Sequence, residues 1–335
     1  MEDELEIGEI NALFGAYYQD NGQGVKDIQK KLKSPTPTEA LFTRLNTTAT
    51  YIDKSHHRFK EVLQANQNVF VHKGGQEFKP ERIELENLMI DYAQTPKELQ
   101  GSWLDFLSNQ DIDPKTAPLV KFTIDCLIDQ AHMDYENNFY HAKKGVIVPG
   151  EATPTIQSFN GLKQKFIKYK NEQKMKIIAL GALPNPASLG AAKETCQYFE
   201  EFIKGVPPEY RPYIDFLITN ESTALLYQQG VVETYNAYYQ QVKMSQDSLG
   251  DEVEMPIMFS KSKVKGVRSH LNTDAVWMTS RGNAAIGVKN GKNEGNFISS
   301  VKGNKMVQIS SNWWKGFGFL NPYELWHNGQ DLTNN

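Results

Sequence analysis

The stretch Pro118–Ala142, PLVKFTIDCLIDQAHMDYENNFYHA, carries the strongest secondary-structure signal in the chain. Its apolar residues recur at helical spacing; they are Val120, Ile124, Leu127, Ile128, Ala131, Tyr135 and Phe139. A proline suits the first turn of a helix, and Gly145 follows as a stop. The pattern predicts a helix over residues 118–142, roughly 37 Å long at about 1.5 Å per residue.

A line of polar residues runs along another face of this predicted helix. Asp125, Asp129, His132 and Glu136 are three or four positions apart, so each lies about one turn from the next. Carboxylates and an imidazole can bind a metal, but a di-metal bundle needs carboxylates from several helices. We therefore interpret the line as a solvated or subunit-contact face and predict no metal.

The chain before this helix predicts an arm followed by a β-ribbon. Residues 1–20 are acidic and contain no Lys or Arg, and the linker 34–38, SPTPT, favours extended backbone. We expect this arm to be poorly anchored in its own subunit. The run Val69-Phe70-Val71 precedes Gly74-Gly75, a suitable two-residue hairpin turn, and residues 82–90 form the return strand. Because a lone ribbon is marginal in water, it should lie on its own body or on a neighbour.

The chain after the helix predicts an α/β region and then a β-rich tail. Predicted helices lie at 159–169, 189–203 and 221–240, the last capped by Asn220, and predicted strands lie at 175–180, 213–219, 275–279, 284–288 and 306–310. Gly316 and Gly318, inside an aromatic cluster with Trp313 and Trp314, predict a tight turn. We interpret the cluster as core or subunit contact rather than as a base-stacking platform. The fold class is α+β.

Composition and motifs narrow the classes of function. The 335 residues have a net charge of -4, which excludes a strongly basic nucleic-acid binder. The two cysteines form no C-x-x-C pair, and no signal peptide or membrane-spanning run is present. The segment 177–184 lacks the G-x-G-x-x-G fingerprint, so no nucleotide cofactor is predicted. Residues 260–315 contain ten Lys or Arg, which predicts a face toward an acidic neighbour or DNA, or simply a solvated surface.

Three stretches, in this order, resemble the major capsid proteins of tailed phages, particularly phages infecting Bacteroidota. The first is residues 78–107, FKPERIELENLMIDYAQTPKELQGSWLDFL, with the long helix after it. The second is residues 206–227, VPPEYRPYIDFLITNESTALLY. The third is the tail, from VWMTSRGNAAIGV at 276–288 through ISSNWWKGFGFLNPYELW at 309–326.

This resemblance implies the Hong Kong 97-type capsid fold. The expected parts are an N-terminal arm at 1–65, an extended β-loop at 66–95, a peripheral domain at 96–149 with its spine helix at 118–142, an axial domain at 150–255 and a β-rich return to both domains at 256–335. The implied function is that of a structural subunit, with no enzymatic activity and no cofactor, which self-assembles into the icosahedral head shell.

The resemblance also implies partners and a location. The partners are other copies in hexamers and pentamers, a portal, scaffold or decoration proteins, and packaged double-stranded DNA on the inner face, with no membrane. The location is the virion, after assembly in the bacterial host cytoplasm. Candidate intersubunit contacts are Val69, Val71, Glu84, Glu86, Asp125, Asp129, Glu136, Trp313 and Trp314. Three alternatives remain open: an encapsulin-like compartment shell, a metal- or nucleotide-dependent enzyme built on the 175–240 α/β unit, and another virion part such as a tail or decoration protein.

Overall fold

The predicted long helix is present, and it ends one turn earlier than the sequence predicts. The computed structural model describes residues 28–59, 61–94, 119–235, 254–258, 260–291, 297–302 and 306–332. The helices are α1 Leu119–Asn138, α2 Leu162–Asn171, α3 Ala191–Gly205 and α4 Glu221–Tyr235. Helix α1 ends at Asn138 because the carbonyls of Phe139 and Tyr140 accept hydrogen bonds from the first residues of α2, Leu162 and Lys163, at 2.9 and 3.1 Å.

The strands form two sheets and a ribbon. They are β1 Thr43–Thr47, β2 Tyr51–Phe59, β3 Gln76–Glu84, β4 Glu86–Gln94, β5 Lys176–Ile177, β6 Phe216–Asn220, β7 Glu254–Pro256, β8 Lys263–Val267, β9 Trp277–Thr279, β10 Ala284–Lys289, β11 Ile298–Lys302, β12 Met306–Phe319 and β13 Leu325–His327. The first sheet is built on β12, which pairs antiparallel with β4, β10 and β11, while β1 joins parallel to β10. From Gln308 to Lys315 the side chains of β12 alternate between buried and more exposed, the pattern of a strand with one face in the core, and residues 315–319 are all buried.

The ribbon differs from the predicted hairpin. Strand β2 pairs antiparallel with β3 along its whole length, so the first strand of the ribbon lies at 51–59 and not at Val69–Val71. Residues 61–75 form a tip between the two strands, and Gly74-Gly75 do not form a two-residue turn. The predicted return strand divides at Leu85, beyond which β4 leaves the ribbon to pair with β12. The sequence of β2, YIDKSHHRF, is too polar to give the apolar signal on which the prediction relied.

The glycines of the aromatic cluster lie inside a strand and not in the predicted turn. Gly287 of β10 stands opposite Gly316 of β12, and Gly318 follows two positions later. A Cβ at Gly316 would lie 2.4 Å from the carbonyl oxygen of Glu84, and one at Gly287 would lie 2.5 Å from Leu85 Cδ2. We call Gly287, Gly316 and Gly318 the glycine seat. These positions lack side chains because the base of the ribbon packs directly on the sheet.

The second sheet has the strand order β5-β13-β9-β6-β8-β7 and packs against α3 and α4. Strands β6 and β8 are parallel, with α4 between them in the chain. Asn220 caps α4 as predicted, since its Oδ1 accepts the N–H of Thr223 at 2.7 Å. The predicted strand at 175–180 is reduced to Lys176–Ile177. The predicted end of α4 near residue 240 lies outside the described residues.

Residues 28–42, which we call the strap, are part of the first core. Ile28, Leu32 and Phe42 are buried in the apolar cluster that also contains α1, α2 and β12. The ring of Phe42 lies 5.7 Å from that of Phe139 and 6.2 Å from that of Phe317. The prediction of a poorly anchored arm is therefore wrong for the strap; residues 1–27 lie outside the described residues. No helix in the described ranges has the length and apolar content to cross a bilayer.

Candidate functional site

The tip of the ribbon presents apolar side chains to solvent. Leu63, Val69 and Phe70 are exposed, Phe70 to 91%. Two exposed hydrogen bonds cross the loop: Lys73 Nζ donates to the carbonyl of Leu63 at 2.6 Å, and Gln64 Nε2 donates to that of Val71 at 2.8 Å. Residues 61–73 are all exposed, so the tip presents these apolar side chains among exposed polar ones. Exposed apolar clusters of this kind mark interaction sites.

A groove of about 360 Å³ lies at the base of the ribbon. Charged pairs stand on its rim: Arg82 donates to both oxygens of Asp53 at 2.7 and 2.8 Å, and Lys144 pairs with Glu86. Apolar lining comes from Leu85, Ile147 and Trp314. Ile147 belongs to the run Val146-Ile147-Val148, all of which is exposed. The groove thus mixes polar and apolar lining, and it adjoins this exposed apolar run on the body of the subunit.

The strap lies on the polar face of α1, which the sequence analysis interpreted as solvated or as a contact with a neighbour. Lys31 Nζ pairs with Asp125 at 3.1 Å and with Asp129 at 2.9 Å, and His132 Nε2 lies 3.1 Å from the carbonyl oxygen of Leu32. The α1 residues in these contacts, Asp125, Asp129 and His132, follow one another at intervals of about one helical turn. The described residues contain no group of three or more metal-ligating side chains. The polar line therefore binds the subunit's own strap.

The strap ends in a buried polar cluster, which the sequence analysis missed. Glu39 Oε2 accepts Lys315 Nζ at 2.5 Å, and both side chains are almost completely buried. One turn of α1 beyond His132, Glu136 accepts the backbone N–H of Thr38 at 3.2 Å and also bonds its hydroxyl. Burial dominates the ionisation of Glu136 and raises its pKa. The alternation of β12, which turns Lys315 inward beside Trp313, was the signal that could have found the cluster.

A hydrogen-bonded chain continues from Thr38 into the core. Thr38 Oγ1 lies 2.8 Å from Ser269 Oγ, which lies 3.0 Å from His270 Nδ1. On its other side His270 Nε2 accepts the indole N–H of Trp277 at 2.9 Å. Since Nε2 accepts, the neutral ring carries its proton on Nδ1 and donates it to Ser269. The strap is thereby connected to the second sheet through neutral side chains.

Comparison with known proteins places this architecture. No family model and no curated relative matches the sequence. Among solved structures, the cyanophage A-1(L) capsid matches with a TM-score of 0.54 at 12% identity, over 90% of this chain and 95% of that chain. The capsid of an empty GTA particle gives 0.53 at 11%, over 88% and 89%. The satellite phage P4 procapsid gives 0.50 at 13%, over 98% and 97%.

The chain has the fold of phage major capsid proteins. The match extends over about nine tenths or more of this chain and of the P4 procapsid and cyanophage capsid chains. At these identities the likeness shows the fold alone. The α+β class and the capsid fold predicted from the sequence are confirmed.

The capsid fold puts the nine predicted contact residues in different environments. Val69 and Val71 lie in the exposed tip, Glu84 is exposed, and Glu86 lines the groove with Trp314, over whose ring Lys289 Nζ lies at 5.2 Å. Asp125 and Asp129 hold Lys31 of the strap. Glu136 and Trp313 are buried inside their own subunit. Because these two side chains are not exposed, we no longer expect them to contact a neighbouring subunit.

The basic region 260–315 makes several ion pairs within the subunit. Lys315 pairs with Glu39, and Arg281 pairs with Asp215 through Nε at 2.6 Å and Nη2 at 2.5 Å. The Arg281 guanidinium lowers the pKa of the Asp215 carboxyl, chiefly by hydrogen bonding. Carboxylates of the same subunit thus neutralise part of the positive charge of the predicted basic face.

Two buried histidines make the fold sensitive to acid. Burial lowers the pKa of His270 and of His327 to about 3 from the ordinary 6.5. The unfolded chain therefore binds protons that the folded chain does not, and stability falls as the pH drops from about 6.5 toward 3. We expect each ring to contribute up to about 1.4 kcal/mol of lost stability per pH unit.

Urea denaturation between pH 7 and pH 4.5 checks this expectation. The variant His270→Gln keeps an acceptor for the indole N–H of Trp277 and removes one of the two titrating rings, so its pH dependence should be smaller. Equal slopes in the variant and the wild type would contradict the assignment.

Proposed function

We propose that this chain is the major capsid protein of a tailed phage, a structural and non-enzymatic subunit of the icosahedral head shell. The observation that carries the proposal is the full-length match to capsid folds combined with an exposed apolar ribbon tip. The sequence stretches quoted above support a relation to phages that infect Bacteroidota. On this proposal the chain resides in the virion after assembly in the bacterial cytoplasm.

The two sheets support a division of the subunit into domains. We assign α1, α2, β1, β4 and β10–β12 to the peripheral domain and α3, α4, β5–β9 and β13 to the axial domain, following the strand pairing. The extended loop then comprises residues 51–84, and not 66–95, because β2 is its first strand. The strap, residues 28–42, belongs with the peripheral domain and leaves the preceding residues as the arm.

The tip and the groove support a contact between copies. The tip exposes apolar side chains, and the groove offers Ile147 and Trp314 between charged residues, beside the exposed run Val146–Val148; the two surfaces lie at opposite ends of the ribbon. A tip that enters the groove of the next copy gives a heterologous contact, and such contacts generate closed rings when the rotation closes. We propose hexamers and pentamers held in this way, with many weak contacts acting together. Portal, scaffold or decoration proteins and packaged double-stranded DNA are the further partners proposed from the capsid fold.

Phe70→Asp tests the contact at the tip. Burying a phenylalanine contributes roughly 2 kcal/mol, so its loss should raise the protein concentration at which particles form by about tenfold or more. The thermal unfolding temperature of the subunit should not change, because Phe70 is almost fully exposed. Light scattering against protein concentration measures the effect.

Leu189→Asp is the matched control, because Leu189 is a fully exposed apolar residue outside the tip. It should assemble like the wild type. Normal assembly of Phe70→Asp, or equal loss in both variants, would remove the tip from the proposed contact.

A further inference from the structure

Four asparagines of the chain are followed directly by glycine, in the pairs 21–22, 160–161, 290–291 and 328–329. Such a pair can react with itself, because glycine has no side chain to hinder a close approach of its backbone nitrogen to the neighbouring amide. The nitrogen gives its proton to solvent and bonds to the side-chain carbonyl carbon of the asparagine, and the amide nitrogen leaves as ammonia. Water then opens the resulting succinimide ring and leaves an aspartate or an isoaspartate. The pair 21–22 lies outside the described residues, and the other three lie in different surroundings.

The reaction needs two freedoms, which hydrogen bonds in a folded chain remove. The asparagine side chain must rotate until its carbonyl carbon faces the next backbone nitrogen, and that nitrogen must be available to lose its proton to solvent. A buried amide whose oxygen and nitrogen are both bonded must break those hydrogen bonds before it rotates, which costs free energy. The hydrogen bonds and the exposure of each pair therefore rank the three sites.

Asn328-Gly329 is fixed at every group that the reaction uses. Asn328 is 2% exposed. Its Nδ2 donates to the carbonyl of Asp274 at 2.7 Å, and its Oδ1 accepts the N–H of Val276 at 3.2 Å. The nucleophile is occupied as well, since the N–H of Gly329 donates to His327 Nδ1 at 2.8 Å. We expect this pair to react only when the chain around it unfolds.

Asn160-Gly161 is fixed at the start of α2. The N–H of Gly161 donates to the carbonyl of Ala142 at 2.8 Å, and Asn160 Oδ1 accepts the N–H of Lys144 at 3.2 Å. Gly161 is buried, and a Cβ there would lie 2.6 Å from the carbonyl oxygen of Tyr140, so neighbouring backbone restricts its movement. The nucleophile of this pair is therefore also occupied.

Asn290-Gly291 is open to solvent. Both residues are exposed, and they follow Lys289, the last residue of β10. The main-chain N–H of Asn290 donates to the carbonyl of Thr47 at 2.8 Å, but that group takes no part in the reaction. Within the described part of the chain, the side-chain amide of Asn290 and the N–H of Gly291 have no hydrogen-bond partner. Both freedoms are thus present at this pair.

We propose that Asn290 is a site of self-modification: it cyclises with Gly291 and becomes aspartate or isoaspartate, while the fold protects Asn160 and Asn328. Water is the only co-reactant, and each event adds one negative charge to a subunit whose net charge is -4. In the isoaspartate the additional main-chain carbon enters after Cα of residue 290, beyond the N–H that bonds Thr47. The pairing of β1 with β10 therefore survives the modification. The proposal does not depend on shell building, because it concerns the chemistry of the single subunit.

Peptide mapping by mass spectrometry on the purified full chain tests the proposal. The chain is incubated in mildly alkaline buffer, below the concentration at which particles form, and is digested at mildly acidic pH so that digestion adds no new product. Fragment spectra identify which asparagine has gained the mass difference between an amide and an acid. In heavy-oxygen water the product also carries one heavy oxygen, which separates modification during the incubation from any that came before.

The same chain unfolded in guanidinium chloride is the matched control, because each pair keeps its sequence neighbours and loses its tertiary contacts. In the folded chain Asn290 should react within about threefold of its unfolded rate, whereas Asn160 and Asn328 should react about tenfold or more slowly than theirs, since they depend on local opening. Asn290→Gln should leave the folded chain unmodified at all three positions over the same period, because a glutamine would have to close a larger ring. An Asn290 that is as protected as Asn160 and Asn328, or equal rates at all three in the folded chain, overturns the proposal.

Discussion

Gly230→Ala should destabilise the subunit by about 3 kcal/mol or more, although alanine is the better helix former by roughly 1 kcal/mol. Gly230 lies in α4 where that helix crosses α3, and its Cβ would come within 1.9 Å of the carbonyl oxygen of Ala192. The obstacle is backbone, so it cannot be relieved by a change of rotamer. The two helices would have to separate and open the core that contains Phe199 and Tyr227. The midpoint of urea denaturation measures the loss.

Gly75→Ala is the control for this substitution. A Cβ at Gly75 meets nothing within 4 Å, so the change should be close to neutral. If Gly230→Ala were as stable as Gly75→Ala, the close crossing of α3 and α4 would be wrong.

Gly316→Ala should cost about 2 kcal/mol or more and displace the ribbon from the sheet. Its Cβ would lie 2.4 Å from the carbonyl oxygen of Glu84 and 2.9 Å from Leu85 Cα, both backbone atoms of the ribbon base. Because the glycine seat fixes the direction in which the ribbon leaves the body, we also expect fewer complete particles. Denaturation and electron microscopy of the same preparation measure the two effects.

Gly318→Ala is the matched control two positions along the same strand. Its Cβ would meet the side chain of Ile83 at 3.1 Å, and a side chain can yield by a few tenths of an ångström. We expect a cost below about 1 kcal/mol and normal particles. Equal costs at Gly316 and Gly318 would contradict the close backbone approach.

The sequence predicted those elements whose signals are local. Helix α1 follows from its apolar spacing, and the start of α4 follows from the Asn220 cap, which needs only the residues next to it. The partner of β3 could not be found in this way. Strand β2 is polar and its register is set by a neighbour far along the chain, whereas the apolar run at 69–71 resembled a strand and forms an exposed tip instead.

The predictions made from glycines and from charged residues were wrong for a related reason. A glycine serves equally for a turn and for a close approach, and only the position of the ribbon base shows that Gly316 serves the second purpose. The polar face of α1 was predicted to meet solvent or a neighbour because nothing local indicates that the strap returns to cover it. The burial of Lys315 and Glu136 depends on the same tertiary contact.

The central claim is that this chain builds a closed shell, and negative-stain electron microscopy of the purified full chain at near-physiological salt tests it most directly. We predict closed particles of uniform size, or rings of five and six subunits at lower concentration, with Phe70→Asp shifting the population toward free subunits. A monomer or dimer that forms no ring or shell at any concentration, with the ribbon tip intact, would contradict the account.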